Sequence, residues 1–454
     1  MFRKIRLCSL SYEMCTGISK LTIATERFPV LKRSYAAISN VLERTIVRNN
    51  GIQRKFPGLT GPFAKRHLSY KAPSSSKLVA CHENSQGLNL MFSNGQAAQL
   101  HYFWLRDHCT CQECYHPQTF QKLVDTYQIP LDIRPKSVTS REDSLTVEWP
   151  DGHKSTFTSS WLNKNKYGQS YHCFDVKEIE KHLWNKERFR GIEDSLFDEV
   201  IKSDEKLLEY LEKIVKYGIA FIDGIEEPYK ESLEKIANRI GHIQLTHYGD
   251  MWTFVSGGFE FADTAYLSIK LEGHNDGTYF YESPGLQTLH CDFHTGEGGE
   301  NVFVDGFYVA EKLKETDPEA YTFLATKKIP SVYYEKDAFL FKAYDTVLKL
   351  DDFDNEIYQI RFNPNDRDVL SCLSFEEVEK FYKASHSLTR LIRDPSNELV
   401  VKPRPGRAAI FDNWRVFHAR NSYTGQRSMS GFYMQRHTFL SKIHALREKL
   451  FKAS

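Results

Sequence analysis

From residue 245 to its end the chain is written as short apolar runs broken by turn residues, and that pattern restricts its fold more than any other feature. The runs "LQTLHCDF", "NVFVDGF", "IYQIRFN", "AAIFDNWRVFHA" and "SMSGFYMQ" have the length and the β-branched and aromatic content of strands. Helical inserts are expected at about 309–326 and 374–394. Many short strands punctuated by turns predict a sandwich or jelly roll. A second block of alternating runs, among them "KLVACHE", "LNLMFSN", "AAQLHYFWL", "SLTVEWP" and "KSTFTSSWL", carries the turn signals Ser93-Asn94-Gly95 and Pro150-Asp151-Gly152. It predicts a small all-β module over 77–170. Between the blocks the period changes. Residues 170–215 take on helical spacing, and "LLEYLEKIVKYG" reads as an amphipathic helix ending at Gly218. "IAFIDGI" follows as a buried strand and "YKESLEKIANRIG" as a helix stopped at Gly241.

Composition narrows the function classes. With 60 Lys and Arg against 59 Asp and Glu, the formal net charge of +1 provides no overall basic field for nucleic acid. No run approaches the ~18 apolar residues of a membrane span. Aromatic residues reach 13%, which suits a β-rich fold or a ring-lined pocket. The near-neutral total conceals a basic leader. Residues 1–71 hold 14 Lys and Arg against only Glu13, Glu26 and Glu43, and they are rich in Ser and Thr. That composition is the signature of a mitochondrial transit peptide, expected over 1–69 with delivery to the matrix. Arg66-His67-Leu68-Ser69 resembles the Arg-x-Leu-Ser recognised by the matrix processing peptidase, which puts cleavage near 68–70. The other reading of this segment is a disordered basic arm for RNA or anionic lipid.

Of nine cysteines, Cys8 and Cys15 fall in the leader, while Cys109, Cys111 and Cys114 crowd into "LRDHCTCQECYHP". A C-x-C-x2-C array is too tight for an ordinary disulfide framework and points to metal. Three thiolates on one tight loop can face one ion, and Zn2+ takes four soft or borderline ligands in a tetrahedron. Spacing leaves the fourth ligand open. His116 is close by, His153 follows the "WPDGH" turn of a hairpin over 143–157, and His108 sits inside the cysteine turn itself. A closed four-ligand site would be structural.

Two H-x-D pairs occur. His274-Asn275-Asp276 lies in "GHNDGTYF", a polar turn following "AYLSIKLEG", and so at a strand end where loops present ligands. His290-Cys291-Asp292 lies inside "LQTLHCDF", where His290 reads as a satisfied core histidine. Near the C-terminus an apolar run leads into His418, and Arg427 stands just before the next strand. If His274, Asp276 and His418 converge, they form a two-His-one-carboxylate facial triad, which leaves positions on Fe(II) open for a chelating 2-oxoacid and O2. Arg427 suits the remote carboxylate of 2-oxoglutarate, because a guanidinium grips a carboxylate in a two-pronged fork. Tyr248, Trp252, Tyr266 and Tyr433 form an aromatic set that can cage a quaternary ammonium by cation–π attraction. Taken alone, the same rings read as ordinary core.

Over about 78–450 these residues resemble the trimethyllysine dioxygenase and γ-butyrobetaine dioxygenase family of carnitine biosynthesis. The stretches that carry the resemblance are "WLRDHC", "WPDGH", "YGIAF", "YGDMW", "DTAY", "HNDGTYF", "VDGFYVAE", "RFNPNDRD" and "FDNWRVFHAR". The resemblance implies a mainly β protein with helices: a small N-terminal zinc-binding β module joined to a double-stranded β-helix (jelly roll) dioxygenase domain over 190–454. It implies iron on His274, Asp276 and His418, and 2-oxoglutarate at Arg427 and Asn301. It implies structural zinc on Cys109, Cys111, Cys114 and His153, and a trimethylammonium cage of Tyr248, Trp252, Tyr266 and Tyr433, with Asn363 at a substrate-contacting position. L-Ascorbate to keep the iron reduced and a homodimer are implied in the same way.

The branch is read from "DTAY", where butyrobetaine enzymes carry residues like "NVAY". A carboxylate at Asp263 can pair with the α-ammonium of trimethyllysine, which butyrobetaine lacks, so Asp263 and Asn363 are expected at the amino-acid end of the substrate. The expected reaction is the 2-oxoglutarate- and O2-dependent hydroxylation of N6,N6,N6-trimethyl-L-lysine at C3. The rivals are γ-butyrobetaine hydroxylation to L-carnitine, another 2-oxoacid dioxygenase such as a sulfonate enzyme, and a non-catalytic interaction protein built on the zinc module. Three positions depart from the family's pattern: Asn301 stands where a Thr or Ser is expected, Ala419 replaces a Gly after the distal His, and "HND" replaces the commoner "HTD".

Overall fold

The computed structural model describes residues 76–168, 176, 178–189 and 191–451. The expected transit peptide, with Cys8, Cys15 and the motif at 66–69, lies outside them. Two sheets form the centre of the unit that begins at Ser76. The larger has six strands in the order Ser195–Leu196, Ile219–Asp223, Arg407–Asp412, Leu286–His294, Arg427–Met434, Met251–Val255, antiparallel except for the first pair. The smaller has four antiparallel strands, Leu271–His274, Val416–Arg420, Asn301–Asp305 and Leu399–Val401. Phe221, Ala409 and Phe411 of the larger sheet share a buried cluster with Phe303 and Val416 of the smaller. The rings of Phe303 and Phe411 meet edge-on at 5.3 Å. Two facing sheets that exchange strands in this way make a jelly-roll core.

The expected single strand "AAIFDNWRVFHA" is two strands. Arg407–Asp412 ends in the larger sheet and Val416–Arg420 begins in the smaller. The side chain of Asp412 accepts from the Trp414 amide at 3.0 Å and closes a turn. Arg415, 1% exposed, is held there by Asp305 at 2.7 Å. This corner carries the chain to His418.

Helices cover the outer faces for reasons written locally. Asp204–Tyr217 starts on Ser203, whose side chain accepts from the Lys206 amide, and it has Asp204 and Glu205 in its first turn. Leu207, Leu208, Leu211, Ile214 and Val215 give it one apolar face. It stops at Gly218 with φ 77°, where a Cβ would lie 2.7 Å from Val416. With Tyr229–Ile240 and Arg436–Phe451 it packs on the larger sheet. Gly306–Thr316, Pro318–Thr326 and Phe375–Ile392 cover the smaller one. Among the described residues no helix is long and apolar enough to cross a membrane.

The N-terminal block holds two three-stranded antiparallel meanders, Leu78–Glu83/Gly87–Phe92/Ala97–His101 and Ser137–Ser140/Ser144–Glu148/Lys154–Thr158. They close on Leu88, Leu90, Leu145, Val147 and Trp149. It is not all-β. "AAQLHYFWL" turns helical at Tyr102–Asp107, where Tyr102 and Leu105 are buried at helical spacing. "KSTFTSSWL" turns helical at Ser159–Lys164, because Thr158 caps the Trp161 amide.

Candidate active site

His274 ends its strand directly opposite His418 on the neighbouring strand. Asp276 follows two residues on, so pairing of two strands suffices to gather three ligands. His274 Nε2 lies 3.3 Å and His418 Nε2 3.6 Å from one oxygen of Asp276. Adjacent ligands on an octahedral ion with bonds near 2.1 Å stand about 3 Å apart, so the set fits a divalent ion with little adjustment. The Glu272 carbonyl accepts from His274 Nδ1 at 2.7 Å, which leaves Nε2 as the ligand atom. The other Asp276 oxygen accepts from Gln287 Nε2 and from the Tyr433 hydroxyl, each at 2.7 Å. Burial pushes the Asp276 carboxyl up, but His418, His274 and the Tyr433 hydroxyl outweigh it and hold the group well below the carboxylate range. Burial lowers His418 to about 3. Burial opposes charge on His274, but Asp276 and the Glu272 carbonyl outweigh it and raise that group, so of the three Asp276 and His418 already hold the states a metal requires, an anionic carboxylate and a neutral imidazole.

Two buried asparagines hold this arrangement, and neither was singled out in the sequence as a support. Asn275, between the ligands, donates to the carbonyls of Asn413 at 2.8 Å and Val416 at 3.2 Å and accepts from the Phe362 amide. Asn413, in the corner before His418, accepts from the Asp276 amide at 2.9 Å and donates to its carbonyl at 3.0 Å. The departure from "HTD" therefore has a use: the longer amide of Asn275 spans to the corner.

The triad faces a cavity of about 250 Å³, of small-molecule rather than macromolecular scale. Tyr248, Trp252, Asp263, Asn301, Asn363, Arg427 and Tyr433 all line it. Tyr266 does not. It packs against Phe254 at 5.0 Å and Phe259 at 5.8 Å, behind the wall. Tyr279 and Tyr333 supply rings to the lining instead. Trp252 lies flat along the Arg427–Met434 strand because Gly431 has no Cβ, which would fall 2.5 Å from the indole.

The Asp263 carboxylate accepts from the Tyr248 hydroxyl at 2.7 Å and from the Ala265 amide at 2.7 Å, so it belongs to the ring end of the cavity. Burial raises its pKa and raises that of Tyr248, so the phenol remains a donor. Asn363 turns its amide to Asp366, donating at 2.7 Å. Arg427, 4% exposed, donates to Asn301 at 3.2 Å and to the Gly299 carbonyl at 3.4 Å, while its buried Nε has no partner among the described residues. A buried guanidinium with an unused donor fits an anionic group in the cavity. Arg420, beside it, donates to the carbonyls of Ala265, Leu267 and Ile269 and so tethers the segment that bears Asp263.

His290, the alternative, is fully buried and satisfied, with Nδ1 on Asp292 at 3.0 Å and Nε2 accepting from the Gly406 amide at 3.2 Å.

A second cluster lies in the N-terminal block. His153 Nε2 is 3.3, 3.7 and 3.4 Å from the sulfurs of Cys109, Cys111 and Cys114. Tetrahedral zinc with Zn–S near 2.3 Å and Zn–N near 2.0 Å puts sulfur and nitrogen about 3.5 Å apart, so these four fit zinc. Glu113 faces His153 Nδ1 at 3.2 Å and fixes the ring. Burial raises the Cys114 thiol to about 12, a penalty that a dication reverses. The other two histidines are engaged elsewhere. His116 Nδ1 accepts from the amides of Gln118 and Thr119, and His108 stacks on Trp104.

Comparison with known proteins places the chain in a family. Residues 178–433 match the taurine catabolism dioxygenase TauD, TfdA family, and residues 79–163 match the gamma-butyrobetaine hydroxylase-like N-terminal family. The mitochondrial trimethyllysine dioxygenase of Mus musculus is 35% identical over 84% of this chain and 93% of its own length. That of Gallus gallus is 38% identical over 76% and 82%. The gamma-butyrobetaine dioxygenase of Pongo abelii is 29% identical over 76% and 91%.

Proposed function

The chain belongs to the trimethyllysine dioxygenases of the TauD/TfdA family, and on that premise we propose that it converts N6,N6,N6-trimethyl-L-lysine to the 3-hydroxy product, the step with which carnitine biosynthesis begins. It is an Fe(II)- and 2-oxoglutarate-dependent dioxygenase. The observation that carries the reading is one cavity joining a three-ligand centre, a buried arginine with a free donor, and a wall of rings and carboxylates.

Fe(II), which His274, Asp276 and His418 would hold, would supply with 2-oxoglutarate the O2-dependent C–H hydroxylation. The protein's own work is placement. Gln287 and Tyr433 fix the Asp276 carboxylate. Arg427, steadied by Asn301, takes the remote carboxylate of 2-oxoglutarate. Tyr248 and Trp252, with Tyr279 and Tyr333, enclose the trimethylammonium, which cannot donate a hydrogen bond and is held by ring faces. Asp263 adds a negative charge behind Tyr248 at that end. Fixing the ends of the substrate determines which C–H meets the metal, and the rings exclude water. Cys109, Cys111, Cys114 and His153 hold structural zinc. Mitochondrial location follows the relatives' names, and the basic leader supports the matrix. L-Ascorbate and a homodimer complete the reading by family resemblance alone.

The test offers trimethyllysine and γ-butyrobetaine in equal amounts to the full chain with Fe(II), 2-oxoglutarate, ascorbate and O2, and reads products by mass. One oxygen on trimethyllysine is expected. Oxygen on butyrobetaine instead would transfer the chain to the other branch, and oxidation of neither would overturn the reading.

A further inference from the structure

The cavity holds three carboxylates, and two of them are already engaged on both oxygens. Asp276 meets the imidazoles with one and Gln287 and Tyr433 with the other. Asp263 meets Tyr248 and the Ala265 amide. Asp366 differs. One oxygen accepts from Asn363 Nδ2 at 2.7 Å, and among the described residues its side chain forms no ion pair. Its position is nonetheless fixed. The Val332 amide donates to its carbonyl at 2.7 Å, Arg367 bridges Ser331, and Asn363 Oδ1 accepts from the Asn365 amide at 3.0 Å. A loop held by these hydrogen bonds thus presents a carboxylate, with one oxygen unengaged among the described residues, to a cavity that already carries two other acids.

We propose that Asp366, oriented by Asn363, is the counter-charge for the α-ammonium group of the substrate and selects an amino acid over the same chain lacking the amino group. This rests on the reading above and revises its sequence-based form, which gave that role to Asp263. The substrate's own connectivity supports the revision. C3 is bonded to the α-carbon, so the α-nitrogen is two bonds from the reacting carbon and the quaternary nitrogen four. With the rings holding the quaternary end, the α-ammonium lies on the metal side. Asp263 belongs to the ring side through Tyr248. Burial, aided by the charge of Asp276, raises Asp366 to about 7. A cation delivered by the substrate reverses that shift. Asn363 is then a positioning residue, acting through Asp366.

The test is anaerobic calorimetry of the protein loaded with Fe(II) and 2-oxoglutarate, comparing trimethyllysine with 6-(trimethylammonio)hexanoate, which lacks only the α-amino group. Wild type is expected to favour trimethyllysine by about 30-fold or more, the scale of a desolvated charge pair. Asp366→Asn keeps the size and an acceptor for Asn363. It should cut that preference to about threefold or less, with the affinity for the hexanoate unchanged. Asp263→Asn should weaken both ligands alike. The proposal is overturned if wild type shows no preference, a result that needs no variant to fold. It is also overturned if Asp366→Asn weakens both ligands equally, or if Asp263→Asn is the change that erases the preference. Binding of neither ligand by wild type would bring down the trimethyllysine reading itself, and this inference with it.

Discussion

Cys109, Cys111, Cys114 and His153 enclose a point from four directions, whereas His274, Asp276 and His418 surround theirs on one side and leave the other to the cavity. The first set is drawn from a tight loop and a hairpin turn at the rim of a small sheet pair. The second is drawn from two neighbouring strands at the mouth of a jelly roll. A closed four-ligand set suits a structural ion, and an open three-ligand set on a cavity suits one that meets reactants. The same contrast appears in the supports. Glu113 steadies one ring of the closed set. The open set has a network of Gln287, Tyr433, Asn275 and Asn413 around it, because its vacant face gives it fewer bonds of its own.

That contrast can be broken by mutation. Asp276→Ala should reduce hydroxylation to below about one-thousandth of wild type, since a metal centre lowers the barrier by several kcal/mol. Circular dichroism and melting should change little. Cys114→Ala should do the reverse, removing zinc and costing on the order of several kcal/mol locally. Hydrogen exchange should then rise across 78–163 while iron content at the triad is retained. Arg427→Ala should raise the KM for 2-oxoglutarate by about 30-fold or more with little change in iron affinity, as expected for a buried partner of a carboxylate. Tyr433→Phe, which deletes one hydroxyl, should weaken iron binding or turnover by about tenfold, measured by metal titration. His116→Ala should leave zinc content unchanged and His153→Ala should abolish it, which metal analysis of the two variants will read directly.

The two clusters were legible in unequal degree: Cys109, Cys111 and Cys114 stand in one short motif and His274 and Asp276 in another, whereas spacing left His116, His153 and His108 open as the fourth member of the first cluster and only the family resemblance chose His153. The strands were visible too, with one instructive error. "AAIFDNWRVFHA" reads as continuous because Asn413-Trp414-Arg415 contains no Gly or Pro. Asp412 closing on the Trp414 amide makes the corner, and side-chain turns of this kind leave only a faint mark in sequence. The cavity wall was read less well. Tyr266 was expected in it and faces Phe254 and Phe259 instead, while Tyr333 reaches it from a hairpin strand, Lys328–Glu335, that no local pattern links to the metal. In "RFNPNDRD" Asn363 drew attention and Asp366 did not. Residues in a loop obey no period, so which of them points inward depends on contacts such as Val332 to Asp366, far apart in the chain.

Asn275 and Asn413, both fully buried, use their side-chain amides as surrogates for backbone. Each bridges main-chain groups that a regular strand ladder would have left unpaired at the corner. The spacing of His274, Asp276 and His418 is therefore tied to main-chain groups on both sides of the corner. A substitution at either asparagine would therefore act on the spacing of the ligands without touching a ligand.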